Sequence, residues 1–212
     1  MREIDLSVYL VLDPGLCEAI GMAETAARAV TGGVTAVQLR DKTAGQAEFI
    51  AAGRAIKAAL AGTGVPLIVN DNVAAAIEIG AEGLHLGQGD MPAHEARMRI
   101  GPDMILGISV ETPDHAAAID ARLVDYVGAG PVFATATKPG HAAPTGLDGL
   151  AAIIAAAPVP AVAIGGVKRD HAAGAIAAGA AGIAVVSAIC GRPDPARAAR
   201  VLAHAVKKAK DT

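Results

Sequence analysis

Eight short runs of β-branched and aliphatic residues, each followed by a longer alanine-rich segment, recur along the 212 residues of the chain. This alternation is the pattern of successive strand–helix units rather than hairpins, because parallel neighbours need a crossover and the usual crossover is a helix. The runs fall near Val8–Asp13, Thr35–Asp41, Pro66–Asp71, Gly83–Gly87, Met104–Val110, Tyr126–Val132, Pro160–Gly166 and Gly182–Ser187. Eight units in 212 residues leave about 26 residues each, close to the lower limit for a (β/α)8 barrel of roughly 200 residues or more. The expected fold is α/β, a minimally decorated (β/α)8 TIM barrel with residues 1–212 as one domain.

Glycines such as Gly32-Gly33 and Gly80 precede the apolar runs, where a left-handed residue ends a helix, so the αβ turns are short. The exception among the connections is the polar stretch Phe133 to Gly146, and long loops inside compact domains usually carry function. Hydrophobic residues make up 53% and charged residues 18%, which excludes a disordered chain. A net charge of −3, two Tyr, two Phe and no Trp give no basic or stacking surface for nucleic acid. Apolar runs break well before the roughly 20 residues of a membrane span, and Met1 to Asp5 does not open a signal peptide. A cytoplasmic protein without a membrane partner is expected. Cys17 and Cys190 sit in no metal spacing and are expected to be small buried hydrophobes rather than a disulfide.

In the second run the strand period of two puts Gln38, Arg40 and Lys42 on one face and Val37 and Leu39 on the other. Barrel strands are covered on both sides, so these polar side chains are expected to climb towards the barrel mouth. Arginine offers a planar fork and lysine a point charge, a combination suited to a diphosphate; pairing with barrel carboxylates is the alternative. Asp71 and Asp90 lie at neighbouring strand ends and could share Mg2+, which takes one or two carboxylates plus water and phosphate oxygens. The plainer role for each is capping the helix that follows.

His85 is expected to be a hydrogen-bonded core residue, and Ser109, lacking a nucleophile-elbow context, a phosphate donor rather than a nucleophile. The segment Gly130 to Gly140 supplies Thr135, Thr137 and Lys138 and could close over a reaction. Gly165-Gly166 at the end of run seven and Ser187 at the end of run eight match the recurrent phosphate site of barrels, giving a second anion site.

Taken in order, Gln38-x-Arg40-x-Lys42, Asn70-Asp71, His85-x-Gly87-Gln88-x-Asp90, Gly107-Ile108-Ser109, Gly130 to Lys138, Gly165-Gly166 and Val186-Ser187 resemble the thiamine phosphate synthase family over essentially the whole chain. The resemblance implies that 4-amino-2-methyl-5-(diphosphooxymethyl)pyrimidine binds through Gln38, Leu39, Arg40, Asp41 and Lys42 with Asn70, Ser109 and Lys138. It implies Mg2+ on Asp71 and Asp90, and a thiazole phosphate on Thr135, Ala136, Thr137, Gly166, Val186 and Ser187. The implied reaction is loss of diphosphate from the pyrimidine methylene and capture by the thiazole nitrogen, with Arg40, Lys42, Lys138 and Ser109 at the leaving group. Glu111 stands where the family often has His. Two alternatives remain at this level: a thiazole tautomerase or other phosphate-binding isomerase with His85 or Glu111 as base, and a non-catalytic metabolite-binding protein. The oligomeric state is not legible.

Overall fold

The computed structural model describes residues 4–135 and 143–212. Eight parallel strands, β1 (Val8–Leu12), β2 (Ala36–Leu39), β3 (Leu67–Asn70), β4 (Gly83–Leu86), β5 (Ile105–Val110), β6 (Tyr126–Ala129), β7 (Ala161–Ala163) and β8 (Gly182–Val185), close into a barrel in sequence order. Between and after them run α1 (Met22–Thr31), α2 (Gln46–Leu60), α3 (Val73–Ile79), α4 (Ala93–Ile100), α5 (Pro113–Ala117), α6 (Gly146–Ala156), α7 (Ala172–Ala177) and α8 (Pro195–Lys210). The expected TIM barrel is the fold observed. Closure is made by β1 against β8, with Val8 opposite Ile183 and Leu10 opposite Val185. No described helix is long and apolar enough to cross a membrane.

Helix starts follow from local chemistry. The side chain of Asn72 accepts from the Ala75 N–H at 2.9 Å to start α3, and Asp194 does the same from Arg197 at 2.9 Å to start α8, with Pro195 in the first turn. Gly80, at φ 66, ends α3 in the left-handed conformation.

Strand periodicity separates two apolar layers. Leu10, Leu12, Val37, Leu39, Val69, Leu84 and Leu86 belong to the layer between barrel and helices. Tyr9, Val11, Ala36, Ile68, Ile105, Tyr126, Val162 and Ala184 fill the barrel itself. At the end opposite the strand C-termini, Arg97 of α4 ties β5 to β6. It donates to the carbonyls of Leu123, Gly101 and Met104 and pairs with Asp125 at 2.9 Å, whose carboxylate also accepts from the Leu106 N–H.

Most sequence-read strands overrun the observed ones at their C-terminal ends, the third by Asp71, the sixth by Gly130 to Val132 and the seventh by Ile164 to Gly166. Among those residues Asp71, Gly165 and Gly166 turn out of the ladder through left-handed backbone, with φ of 59, 91 and 64. The overrun is the segment that builds the cavity described next. Cys17 and Cys190 are buried free thiols, as expected, and the fold sets them side by side, with the Cys190 thiol donating to the Val11 carbonyl at 3.6 Å. Cys190 beside it draws the Cys17 thiol down to about 7, while the same contact pushes Cys190 up.

Candidate active site

A cavity of about 420 Å3 opens at the C-terminal ends of the strands, within the range of small-molecule sites. Its floor is the inner barrel layer and its walls are the strand-end residues. Gln38, Arg40, Lys42, Asn70, Asp71, Asp90, Ser109, Thr135, Gly166, Val186 and Ser187, all singled out from sequence, line it. Ala136, Thr137 and Lys138 lie outside the described residues. The side chains of Leu39 and Asp41 do not line the cavity. Leu39 is fully buried in the layer facing the helices, and the Asp41 carboxylate accepts from the Thr43 and Ala44 N–H groups and the Thr43 hydroxyl. Contact with a ligand at these two positions would therefore run through their backbone.

Along β2 exposure rises in steps of two: Gln38 is buried, Arg40 half-buried and Lys42 exposed at the rim. Lys42 pairs with the Asp71 carboxylate, whereas Arg40 has no carboxylate partner among the described residues. The alternative of ion pairing thus holds for the lysine and fails for the arginine. A buried or half-buried guanidinium facing an open cavity suits an anion brought from solution.

The helix-capping alternative for the two aspartates does not hold. Asn72 caps α3, and the residue before α4 is Pro92. Asp71 instead adopts the left-handed backbone, its N–H donating to the His85 carbonyl at 2.9 Å, and this turn carries its carboxylate to Lys42. Asp90 accepts from the Gly87 N–H at 2.7 Å. Burial pushes the Asp71 carboxyl above its ordinary value, Lys42 opposes the shift, and the adjacent Asp90 adds to it. Two carboxylates held this close disfavour joint ionisation, and a cation between them removes the conflict. Among the described residues no group of three or more His, Cys, Asp or Glu forms a metal cluster. A carboxylate pair completed by water and phosphate oxygens is the donor set of Mg2+ rather than of a structural zinc.

Across the cavity, the turn Gly165-Gly166 lies beside Thr135, Val186 and Ser187. A side chain at Gly166 would place its Cβ 2.5 Å from the Ala134 carbonyl oxygen, so the backbone is packed closely there. Lys168 and Arg192 add cations to this end, and Arg192 Nε donates to the Ser187 carbonyl at 3.0 Å. Neither stands out in the sequence, since exposed cations in loops are ordinary; their signal there is adjacency to Gly166 and Ser187.

His85 is buried, as expected, with Nδ1 2.9 Å from the Tyr126 hydroxyl and Nε2 2.9 Å from the Ser109 hydroxyl. Gln88 donates to the Ser109 carbonyl at 2.6 Å. Tyr9 also lines the cavity and was missed from sequence, because a tyrosine inside an apolar run reads as core. Glu111 lines the rim.

The family described as thiamine monophosphate synthase matches residues 8–189. The thiamine-phosphate synthase of Xanthobacter autotrophicus is 47% identical over 209 residues, spanning 99% of both chains. That of Psychrobacter sp. is 46% identical over 202 residues, spanning 93% of both. Among solved structures, the thiamine phosphate pyrophosphorylase from Pyrococcus furiosus superposes with a TM-score of 0.87 at 33% identity, covering 97% of each chain.

Proposed function

The chain belongs to the thiamine monophosphate synthase family, and from that premise we propose that its cavity joins a pyrimidine diphosphate to a thiazole phosphate. The products are thiamine phosphate and diphosphate. The observation that carries this reading is one cavity with two cationic or amide-rich ends and a carboxylate pair at only one of them. An isomerase acting on a single phosphate has use for one end alone.

Arg40 and Lys42, together with Lys138, bind the diphosphate of 4-amino-2-methyl-5-(diphosphooxymethyl)pyrimidine. Asn70 and Ser109 add hydrogen-bond donors, and Gln38 contacts the pyrimidine side. Mg2+ held by Asp71 and Asp90 would neutralise the leaving diphosphate. The C–O bond to the methylene breaks with its electron pair leaving on diphosphate, and the carbocation is stabilised by the ring's own amino group. The lone pair of the thiazole nitrogen then forms the C–N bond. No protein nucleophile is required, and no Ser-His or Cys-His pair with elbow geometry is needed to supply one. The chain's contribution is electrostatic neutralisation and alignment of the two reactants. The phosphate of 4-methyl-5-(2-phosphooxyethyl)thiazole sits on Gly166, Val186 and Ser187, with Thr135, Ala136 and Thr137 as its further contacts.

The test is diphosphate release on mixing purified protein with both substrates and Mg2+, with each substrate omitted in turn and with EDTA. Release that needs both substrates and is abolished by EDTA is expected. Isomerisation of a single phosphate surviving EDTA would replace the reading with an isomerase. Tight binding of both without release would replace it with a non-catalytic binder.

A further inference from the structure

At the cavity floor, five strands, β1, β2, β4, β5 and β6, contribute one continuous chain of polar side chains. Gln38 Nε2 donates to the Tyr9 hydroxyl at 2.9 Å, and the Tyr9 and Tyr126 hydroxyls lie 2.7 Å apart. The Tyr126 hydroxyl lies 2.9 Å from His85 Nδ1, and His85 Nε2 lies 2.9 Å from Ser109 Oγ. Both tyrosines and Gln38 are buried, and His85 is 8% exposed. The barrel makes room for the rings: a Cβ at Gly107 would fall 2.2 Å from Tyr126 Cζ, and one at Gly128 would fall 3.3 Å from His85 Cε1.

Counting protons gives the chain a direction. An amide nitrogen donates and never accepts, so the Tyr9 proton cannot point to Gln38 and goes to the Tyr126 oxygen. The Tyr126 proton then goes to His85 Nδ1. With Nδ1 accepting, the neutral ring carries its proton on Nε2 and donates to Ser109 Oγ. Any other arrangement built on this Gln38 orientation leaves a buried hydroxyl proton unpaired or sets two protons against each other, which costs the desolvation of that group. Burial pushes both phenols well above their ordinary range, so each keeps the single proton the count requires. Because Ser109 Oγ accepts from His85, its own proton is released to the cavity.

We infer that Tyr9, Tyr126 and His85 are positioning residues that polarise Ser109 into a hydrogen-bond donor aimed at an oxyanion in the cavity. This deepens, and rests on, the reading of the cavity as a diphosphate site. A diphosphate oxygen only accepts, so a serine fixed as donor is matched to it, whereas one that must donate to His85 is not. Reversing the Gln38 amide would reverse every bond in the chain and leave Ser109 donating to the histidine. The two directions are therefore distinguishable by the histidine tautomer alone.

Two measurements test the inference. Long-range 15N–1H NMR of the histidine-labelled full chain, with His85 assigned among the six histidines through a His85→Asn variant, reads the tautomer without any substrate. A protonated Nε2 and a bare Nδ1 are expected in the parent protein, with loss of that preference in Tyr126→Phe. A protonated Nδ1 in the parent overturns the inference, whatever the protein's activity. The second measurement is a double-mutant cycle of Tyr126→Phe with Ser109→Ala, read by calorimetric binding of inorganic diphosphate with Mg2+. Each single variant should weaken binding by about tenfold, and the double variant should be no more than about threefold weaker than Ser109→Ala. Multiplicative losses would mean that Tyr126 acts only on general packing and would overturn the positioning role. A correct tautomer and a coupled cycle in a protein that forms no thiamine phosphate would leave the chain standing and remove the synthase reading instead.

Discussion

Replacing Gly166 by alanine perturbs the second anion end with a calculable effect. Gly166 holds φ at 64, where an L side chain costs about 1–2 kcal/mol. The added Cβ would also fall 2.5 Å from the Ala134 carbonyl oxygen and 2.8 Å from Phe133 Cβ, so the segment Phe133 to Thr135 must move. Overpacking of this kind costs about 1–3 kcal/mol, for a total of about 2–5 kcal/mol. A domain with the usual stability of about 5–15 kcal/mol stays largely folded under that load. Since the displaced segment carries Thr135 to the cavity, KM for the thiazole phosphate should rise about tenfold or more, equivalent to about 1.4 kcal/mol of lost binding. KM for the pyrimidine diphosphate, at the opposite end, should change little. Gly62→Ala is the control, because Gly62 has φ 77 with open space around a Cβ and lies far from the strand C-termini. It should carry the backbone cost and leave both KM values alone. Urea denaturation and steady-state kinetics on both variants separate the two effects. An unchanged thiazole phosphate KM in folded Gly166→Ala would refute the assignment of this turn to that phosphate.

Asp90→Asn should lower Mg2+-supported turnover by about 100-fold while leaving the melting temperature of the metal-free protein unchanged or raised, because it removes a charge opposed to Asp71. The folded Asp71 carboxyl titrates above its ordinary 3.8, so the folded protein binds that proton more tightly than the unfolded chain. Its contribution to stability accordingly falls as pH rises through the folded value, and pH-dependent melts should show a smaller fall in Asp90→Asn. Arg97→Ala leaves Asp125 buried without its cation and should cost about 3–5 kcal/mol by urea denaturation, with both KM values intact in the folded fraction. Steady-state kinetics should show Lys138→Ala impairing use of the pyrimidine diphosphate more than Ser187→Ala does, and equal effects would contradict the division into two ends.

Much of the cavity was legible because a barrel strand exposes one face to the interior, so polar residues at every second position of a strand end must meet there. Gln38, Arg40 and Lys42 follow that rule, and the structure grades their burial in the same order. The role of Asp71 was ambiguous because βα loops use aspartate both to cap and to bind. The ambiguity was resolved one residue on, where Asn72 takes the cap. Tyr9, Tyr126 and His85 were not legible as a unit, since each is an isolated residue in an apolar run and their contacts cross from one strand to another. Leu39 shows the limit in the opposite direction: membership of a motif segment does not turn a side chain towards the cavity, and its strand parity sends it to the helices.

The central claim is that one cavity holds two anions at once, one of them through a divalent cation. Calorimetric titration of thiazole phosphate into the protein, alone and after saturation with Mg2+ and inorganic diphosphate, tests it directly. The account predicts that diphosphate binds tightly only with Mg2+, that thiazole phosphate binds without it, and that the second ligand binds with the first in place. Mutual exclusion of the two ligands, or diphosphate binding indifferent to Mg2+ and to Asp71→Ala, would contradict it.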